Sequence, residues 1–320
     1  MKRLIMLALC LAIAVSGVFA RGQDASGGIH IEMVSKGFQH QFWQYVEQGA
    51  KKAAAELGVT VNFVGPESET MKDKQDDMFR TALGKKPAAI CFAALDAKSQ
   101  ASLVAQATAQ GIPVVTFDAT VDTNDPVSFV ATDSNAAGAV AADKMYEATG
   151  GRGGKLAVIC HDQTNTTGID RRDGFVNQFK TKYTNYTIVD IQYGDGDPMK
   201  SADICKAVMT ANPDLVGYYA TNEGSAIGLV TALKEMRQQG RARNVIGIGF
   251  DSGKTQMDAV RDGTLYGAVQ QNPVKIGYDA VQMAYKAIKG ESVPKRVDTG
   301  IVWSDTRNVD SAEVKAVIYE

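Results

Sequence analysis

The sequence predicts a doubly wound α/β protein in two halves, each built on a parallel sheet. Three observations carry this. Short apolar runs alternate with helical patterns from Ile29 onward, the order that winds helices over both faces of a sheet. Several runs lack the apolar/polar alternation of a half-wet sheet, as expected of parallel strands covered on both sides. The glycine-rich GGRGG at 150–154 opens a second set of strands and helices.

Strands are expected at Ile29–Val34, Val59–Val64, Ala88–Ala93, Val114–Phe117, Lys155–Cys160, Thr187–Gln192, Leu215–Ala220, Val245–Phe250 and Leu265–Gln271. In FWQYVEQGAKKAAAELG, Phe42, Val46, Ala50, Ala53 and Leu57 fall on one helical face and Gly58 ends the helix. Further helices are expected at Ser99–Gln110, Asn135–Thr149, Ile169–Lys182, Met199–Ala211, Ser225–Gln239, Lys254–Asp262 and Val274–Lys289. Residues 28–131 hold four strand-to-helix steps. In QGIPVVTFD (110–118), Pro113 begins a strand and Asp118 ends it. The chain then runs VSFVATD without a helix, the expected form of a crossover between two lobes.

A chain of 320 residues suggests about two domains. Its 34 Lys+Arg against 36 Asp+Glu leave a formal charge of −2 with no basic run. Nucleic acid is therefore excluded as the main partner, since phosphate binding needs clustered cations. Residues 1–20 read as a secretory signal peptide: Lys2 and Arg3, then the apolar Leu4–Val15, then Val18-Phe19-Ala20. That run is shorter than the roughly 20 apolar residues a spanning helix needs. Cys10 faintly resembles a lipoprotein cysteine, but bulky Leu9 precedes it. Cys91 and Cys160 sit in apolar strand runs, where a thiol packs as a small hydrophobe. With no CxxC or Cys/His spacing, no metal site is expected.

In an open parallel sheet, ligands sit at the carboxyl ends of the strands. The residues there are Gln39, His40, Gln41, Phe42 and Trp43 beyond the first strand, then Asp118, then His161, Gln163 and Asn165, then Asn222, Asp251, Gln270 and Gln271. Carboxylates accept hydrogen bonds from hydroxyls, amides donate and accept, and aromatic rings cover the apolar faces of a sugar. Each position also has a purely structural reading. Asp251 would N-cap the helix from Lys254, Asn222 would cap the helix after it, and Asp118 would brace a turn. Phe42 and Trp43 are neighbours that cannot share one helical face, so at least one is expected to leave the core. His161 reads as a satisfied loop histidine. Catalytic patterns are missing: no G-x-S-x-G, no G-x-x-x-x-G-K-[ST], no H-E-x-x-H, and GGRGGK precedes a strand instead of following one. No catalytic residue and no cofactor is expected.

The collinear run VSKGFQHQFW, QGIPVVTFD, VATDSNAAG, DRRDGF, ANPDL, ATNEGSAIG, VIGIGFDSG and DGTLYGAVQQNPVKIGYDAV resembles the ribose-binding-protein-like periplasmic sugar-binding proteins, the type I solute-binding proteins of ABC importers. The resemblance spans about residues 28–300. It implies two Rossmann-like lobes joined by a three-strand hinge, with crossovers near Ala131–Thr132, Gln271–Asn272 and Gly300–Ile301. The lobes would then be 28–131 plus 272–300, and 132–271 plus 301–320. Position by position, Phe42 and Trp43 match the aromatic pair that sandwiches the sugar, and Asp118, Asn222, Asp251 and Gln271 match its polar contacts. Four positions depart from the ribose pattern: Ala93 for an Asn, Ala119 and Ile169 for two Arg, and Gly196 for an aromatic. Arg171 and Arg172 are the candidate replacements for the lost guanidiniums. A monosaccharide or polyol other than ribose is expected, seated additionally by Gln163, Asn165 or His161. The implied partner is an ABC transporter permease, or alternatively a chemoreceptor or sensor kinase; the alternative ligands are a nucleoside or a cationic solute. The protein is expected to act as a periplasmic monomer.

Overall fold

The computed structural model describes residues 28–319; the expected signal peptide over 1–20, with Cys10, lies outside them. The chain opens with β1 (His30–Val34), α1 (Gln41–Leu57), β2 (Thr60–Val64), α2 (Lys72–Gly84), β3 (Ala89–Phe92), α3 (Ala101–Ala109), β4 (Val114–Phe117) and β5 (Ser128–Ala131). It continues through α4 (Ser134–Ala148), β6 (Gly154–Cys160), α5 (Thr166–Thr181), β7 (Tyr186–Tyr193), α6 (Pro198–Ala211), β8 (Leu215–Ala220), α7 (Glu223–Gln238), β9 (Ile246–Phe250), α8 (Lys254–Arg261) and β10 (Gly267–Gln270). After α9 (Pro273–Ile288) come β11 (Arg296–Asp298), β12 (Val302–Asp305) and the short α10 (Ala312–Lys315).

Two six-stranded sheets result. One has the order β11-β5-β4-β3-β1-β2, the other β12-β10-β9-β8-β6-β7. Every pairing is parallel except β12 against β10. The chain therefore passes between the sheets three times: after β5, after β10, and between β11 and β12. Apolar clusters fill both faces of each sheet, which is why the strand runs do not alternate. In the first half, Ile31, Met33 and Cys91 pack under α1 and α9, while Phe79, Phe92 and Val104 pack under α2 and α3. In the second, Leu229 and Met257 cover one face, and Phe175 and Met145 the other.

Helix α9 belongs with the first half although it follows five of the six strands of the second sheet. It packs on α1 so closely that a Cβ at Gly277 would lie 1.9 Å from the Val46 carbonyl oxygen, and one at Gly49 equally near that of Val274. Only glycine at both positions permits that approach.

The first half differs from the sequence expectation in two ways. It holds three strand-to-helix steps, not four, because β4 leads into β5 without a helix. It also contains α2, whose KDKQDDMFRTALG buries only Gln75, Phe79, Ala82 and Leu83. That polar composition hides a correct helical spacing. Strands β11 and β12 were equally inconspicuous, β11 being a three-residue edge strand with exposed Arg296 and Asp298.

Candidate functional site

Strands of both sheets end at one cavity between the halves. From the first half it is lined by Lys36 after β1, His40 at the N-cap of α1, Phe42, Trp43, Glu69 in the β2–α2 loop, and Asp118 after β4. From the second come His161 after β6, Arg171 on α5, Asn222 and Glu223 at the start of α7, Asp251 after β9 and Gln271 after β10.

The two halves touch across the cleft. Lys36 Nζ donates to Thr167 Oγ1 at 3.3 Å, and the Thr120 amide to Thr166 Oγ1 at 3.2 Å. Tyr319 sits in the apolar cluster of the first half, with ring centroids 6.3 Å from Phe42 and 5.4 Å from Tyr45. Its hydroxyl donates to Glu223 Oε2 of the second half at 3.1 Å.

Lysine 36 is the central cation. Its Nζ lies 2.9 Å from Asp118 and 3.9 Å from Glu69, and 5.6 Å from the Trp43 ring centroid. Burial alone would lower its pKa, but the Asp118 and Glu69 carboxylates outweigh burial and raise it. The reciprocal holds for Glu69: burial pushes its pKa up, while Lys36, with help from His40 and the Trp43 N–H bond of 2.9 Å, brings it below the usual carboxylate range. Arg171 lies with its guanidinium carbon 3.8 Å from the Phe250 ring centroid and donates through Nη1 to the Thr221 carbonyl at 3.0 Å.

Asp251 adopts φ +77°, a left-handed conformation uncommon for a residue other than glycine. It accepts from the Glu223 amide at 2.9 Å and from Gln271 Nε2 at 2.7 Å. Burial raises its pKa, and Arg171 and Gln271 oppose that rise. Burial raises Glu223 as well, reinforced by the Asp251 charge and opposed chiefly by His40. His161 is held well below the usual histidine range, first by burial and then by Lys36 and Arg171. A neutral imidazole hydrogen-bonded to Thr221 at 2.8 Å and Thr167 at 3.2 Å follows. His40 Nε2 and Arg171 Nε are buried without a hydrogen-bond partner among the described residues.

Of the residues singled out in the sequence, the cavity brings together His40, Phe42, Trp43, Asp118, His161, Asn222, Asp251 and Gln271. Asn222 both lines it and N-caps α7, its Oδ1 accepting from the Ser225 amide at 2.9 Å. Asp251 does not cap the helix from Lys254, whose N-cap is Gly253. The expectation that Phe42 or Trp43 leaves the core is corrected. Both are buried, forming an edge-to-face pair with centroids 5.0 Å apart, because the opposite half covers the first turn of α1.

Gln163 does not join the cavity. The Asp162 carboxylate accepts the Thr164 and Asn165 amides, and this turn holds Gln163 exposed at its tip. Asn165 N-caps α5 and lines a neighbouring chamber instead. Arg171, not Arg172, supplies the guanidinium; Arg172 pairs with Asp173 and Tyr193. Lys36, Glu69 and Glu223 went unrecognised in the sequence. The departure at Gly196 has a steric reading: at φ +67°, a Cβ there would stand 3.2 Å from Asn222 Nδ2 and 3.4 Å from His40 Nε2. His40 and Asn222 thus occupy the room an aromatic side chain would need.

Comparison with known proteins agrees with this geometry. The family model for a periplasmic binding protein domain matches residues 31–292. The D-allose-binding periplasmic protein of Escherichia coli is 29% identical over 270 residues, 82% of this chain and 86% of that protein. The ribose import binding protein of Salmonella typhimurium is 27% identical, covering 92% of this chain and 95% of its own length. Among solved structures, a carbohydrate transporter solute-binding protein from Agrobacterium radiobacter in complex with D-arabinose superposes with a TM-score of 0.86 at 32% identity, over 91% of this chain and 99% of that one. An ABC transporter solute-binding protein from Agrobacterium vitis with bound D-fucose gives 0.85 at 31%, over 91% and 100%. With a six-stranded, mostly parallel sheet in each half and one cavity where their strands end, the chain belongs to the periplasmic binding protein domain family, whose members bind solutes and catalyse no reaction.

Proposed function

We propose that this protein captures a monosaccharide or polyol other than ribose by closing two lobes upon it, and delivers it to the permease of an ABC importer. The lobes are residues 28–131 plus 272–300 and 132–271 plus 301–320, and the protein works as a periplasmic monomer. The observation that carries this reading is the buried cavity to which both halves contribute charged, amide and aromatic groups. Hydroxyls donate to Asp118 and Asp251 and accept from Arg171 Nε, while Phe42 and Trp43 offer flat apolar surface. Each lobe alone holds half of these contacts, so a ligand that touches both shifts the population toward the closed form.

The relatives named for allose, arabinose and fucose support a sugar. The substitutions at Ala93, Ala119, Ile169 and Gly196, with Lys36 and Arg171 as the cations present, support one other than ribose. Thermal unfolding with a panel of pentoses, hexoses, polyols, nucleosides and amino acids tests the reading. A ligand at a thousandfold excess over its Kd stabilises the native state by about 4 kcal/mol. A strong upward shift with a sugar or polyol is expected. A shift only with nucleosides or amino acids, or tight ribose binding, would contradict the proposal in substrate class or in sugar identity respectively.

A further inference from the structure

The segment after α10 crosses between the halves from one residue to the next. Its start is fixed to the second half. Val314 is buried, the Val317 and Ile318 amides donate back to its carbonyl at 3.0 and 3.1 Å, and Ile318 packs with Val309 on the apolar cluster that holds Leu229 and Met257. The next residue, Tyr319, is 1% exposed and belongs to the apolar cluster of the first half. Two adjacent residues are thus anchored in opposite halves, apart from the three passages between the sheets.

The seat of Tyr319 is built from walls of the cavity. Its ring meets Phe42 edge-to-face and its hydroxyl donates to Glu223, and Phe42 and Glu223 both line the cavity. Tyr319 itself does not line it. A second side chain crosses nearby in the other direction. His40 of the first half is 5% exposed and lies against the start of α7, where a Cβ on Gly224 would stand 2.9 Å from its Cε1 and 1.8 Å from the Gly196 carbonyl oxygen. Separating the halves has to withdraw His40 from this slot and break either the aromatic seat of Tyr319 or its bond to Glu223. An aromatic pair and a buried hydrogen bond each shift an equilibrium severalfold.

We propose that Ile318 and Tyr319 form a strap that favours the closed arrangement of the halves before any ligand arrives. The inference rests on the two-lobe closure proposed above. The fraction already closed scales the apparent affinity for a ligand that binds that form, so the strap tunes affinity from outside the cavity.

The spacing of the halves in sugar-free protein tests this. Met71 and Met199 are exposed, at 40% and 79%, and follow β2 and β7, the edge strands of the two sheets farthest from the three passages. Spin labels on Met71→Cys and Met199→Cys, in the mature protein free of residues 1–20, report that spacing by pulsed electron paramagnetic resonance; Cys91, Cys160 and Cys205 are buried. A short and a long spacing are expected, the short one already present in the parent. Tyr319→Ala should lower the ratio of short to long about tenfold. Tyr319→Phe, which keeps the ring and so guards against a loss of fold, should lower it about threefold. An unchanged ratio in the variants that fold, or a parent with the long spacing alone, overturns the strap and leaves closure standing. The short spacing alone in the parent and in both variants overturns closure as well.

Discussion

Replacing Lys36 by methionine keeps the unbranched apolar stem and deletes the charge at the centre of the cavity. Lys36 and Asp118 are 4% and 3% exposed with 2.9 Å between their charged atoms, and Glu69 stands 3.9 Å away at 10% exposure. Removing one partner of a buried pair costs about 3–5 kcal/mol, because the other charge is stranded without water or counter-ion. That loss is expected at pH 7, and its pH dependence has a definite sign. In the native protein Glu69 is held below its ordinary value of 4.5, so its contribution is present above that pH and is lost as pH falls through the folded value. Lys36, held above 10.5, contributes below that pH and ceases to as pH rises through its folded value. In the variant Glu69 loses its cation, and burial raises its folded pKa above the unfolded one. Acidification then favours the folded variant, by up to about 1.4 kcal/mol per pH unit within the Glu69 titration window. Urea unfolding of both proteins at pH 8, 7, 6 and 5 reads this directly. The deficit should be largest at pH 7–8 and shrink toward pH 5. A deficit under about 1 kcal/mol at pH 7, or one that grows on acidification, would refute the reasoning.

Three further outcomes are expected. Asp251→Ala should weaken sugar binding about ten- to a hundredfold, since a hydrogen bond to a charged group is worth about 1.5–3 kcal/mol; an unchanged Kd by calorimetry rejects Asp251 as a contact. Tyr319→Phe keeps the ring against Phe42 and Tyr45 but removes the donor to Glu223. Ligand release measured by stopped flow should accelerate severalfold, corresponding to about 1 kcal/mol, and an unaltered rate speaks against a role in holding the halves together. Burial pushes the thiols of Cys91, Cys160 and Cys205 up to about 12. In the folded protein at pH 8 none of the three should react with a disulfide reagent on the timescale of minutes, whereas all three should in urea; fast native labelling would contradict their burial.

The parts of the site that could be read from the sequence are those that a strand end determines. Asp118, Asn222, Asp251 and Gln271 follow β4, β8, β9 and β10 by one or two residues, and a parallel sheet sends them to one edge whatever the packing around them. Lys36 follows β1 by two residues in the same way, yet reads as an ordinary loop lysine. What makes it a site residue is the pair of carboxylates brought from positions 69 and 118. Arg171 and Arg172 are adjacent, and only the phase of α5 against β8 decides which one is buried. Gln163 failed for the opposite reason: it lies near a strand end, but a turn made by the Asp162 side chain points it outward. In the fold, strongly apolar strands and capped helices were legible. Helix α2 and strand β11 were not, because each meets the core through few residues, or at an edge.

Three passages between the sheets mean that neither half is one uninterrupted stretch of chain. Strand β11 completes the first sheet by pairing with β5, where the Ser128 hydroxyl donates to the Pro294 carbonyl at 2.7 Å across 166 positions. Glycine-packed α9 arrives equally late. A chain delivered from its N-terminal end exposes the β5 edge and one face of α1 until strands β6 to β10 of the second sheet have emerged. Contacts so distant in sequence slow folding and leave strand edges open meanwhile. The order of emergence therefore sets a folding hazard that is independent of final stability, and it is greatest for a chain stalled between α4 and α9.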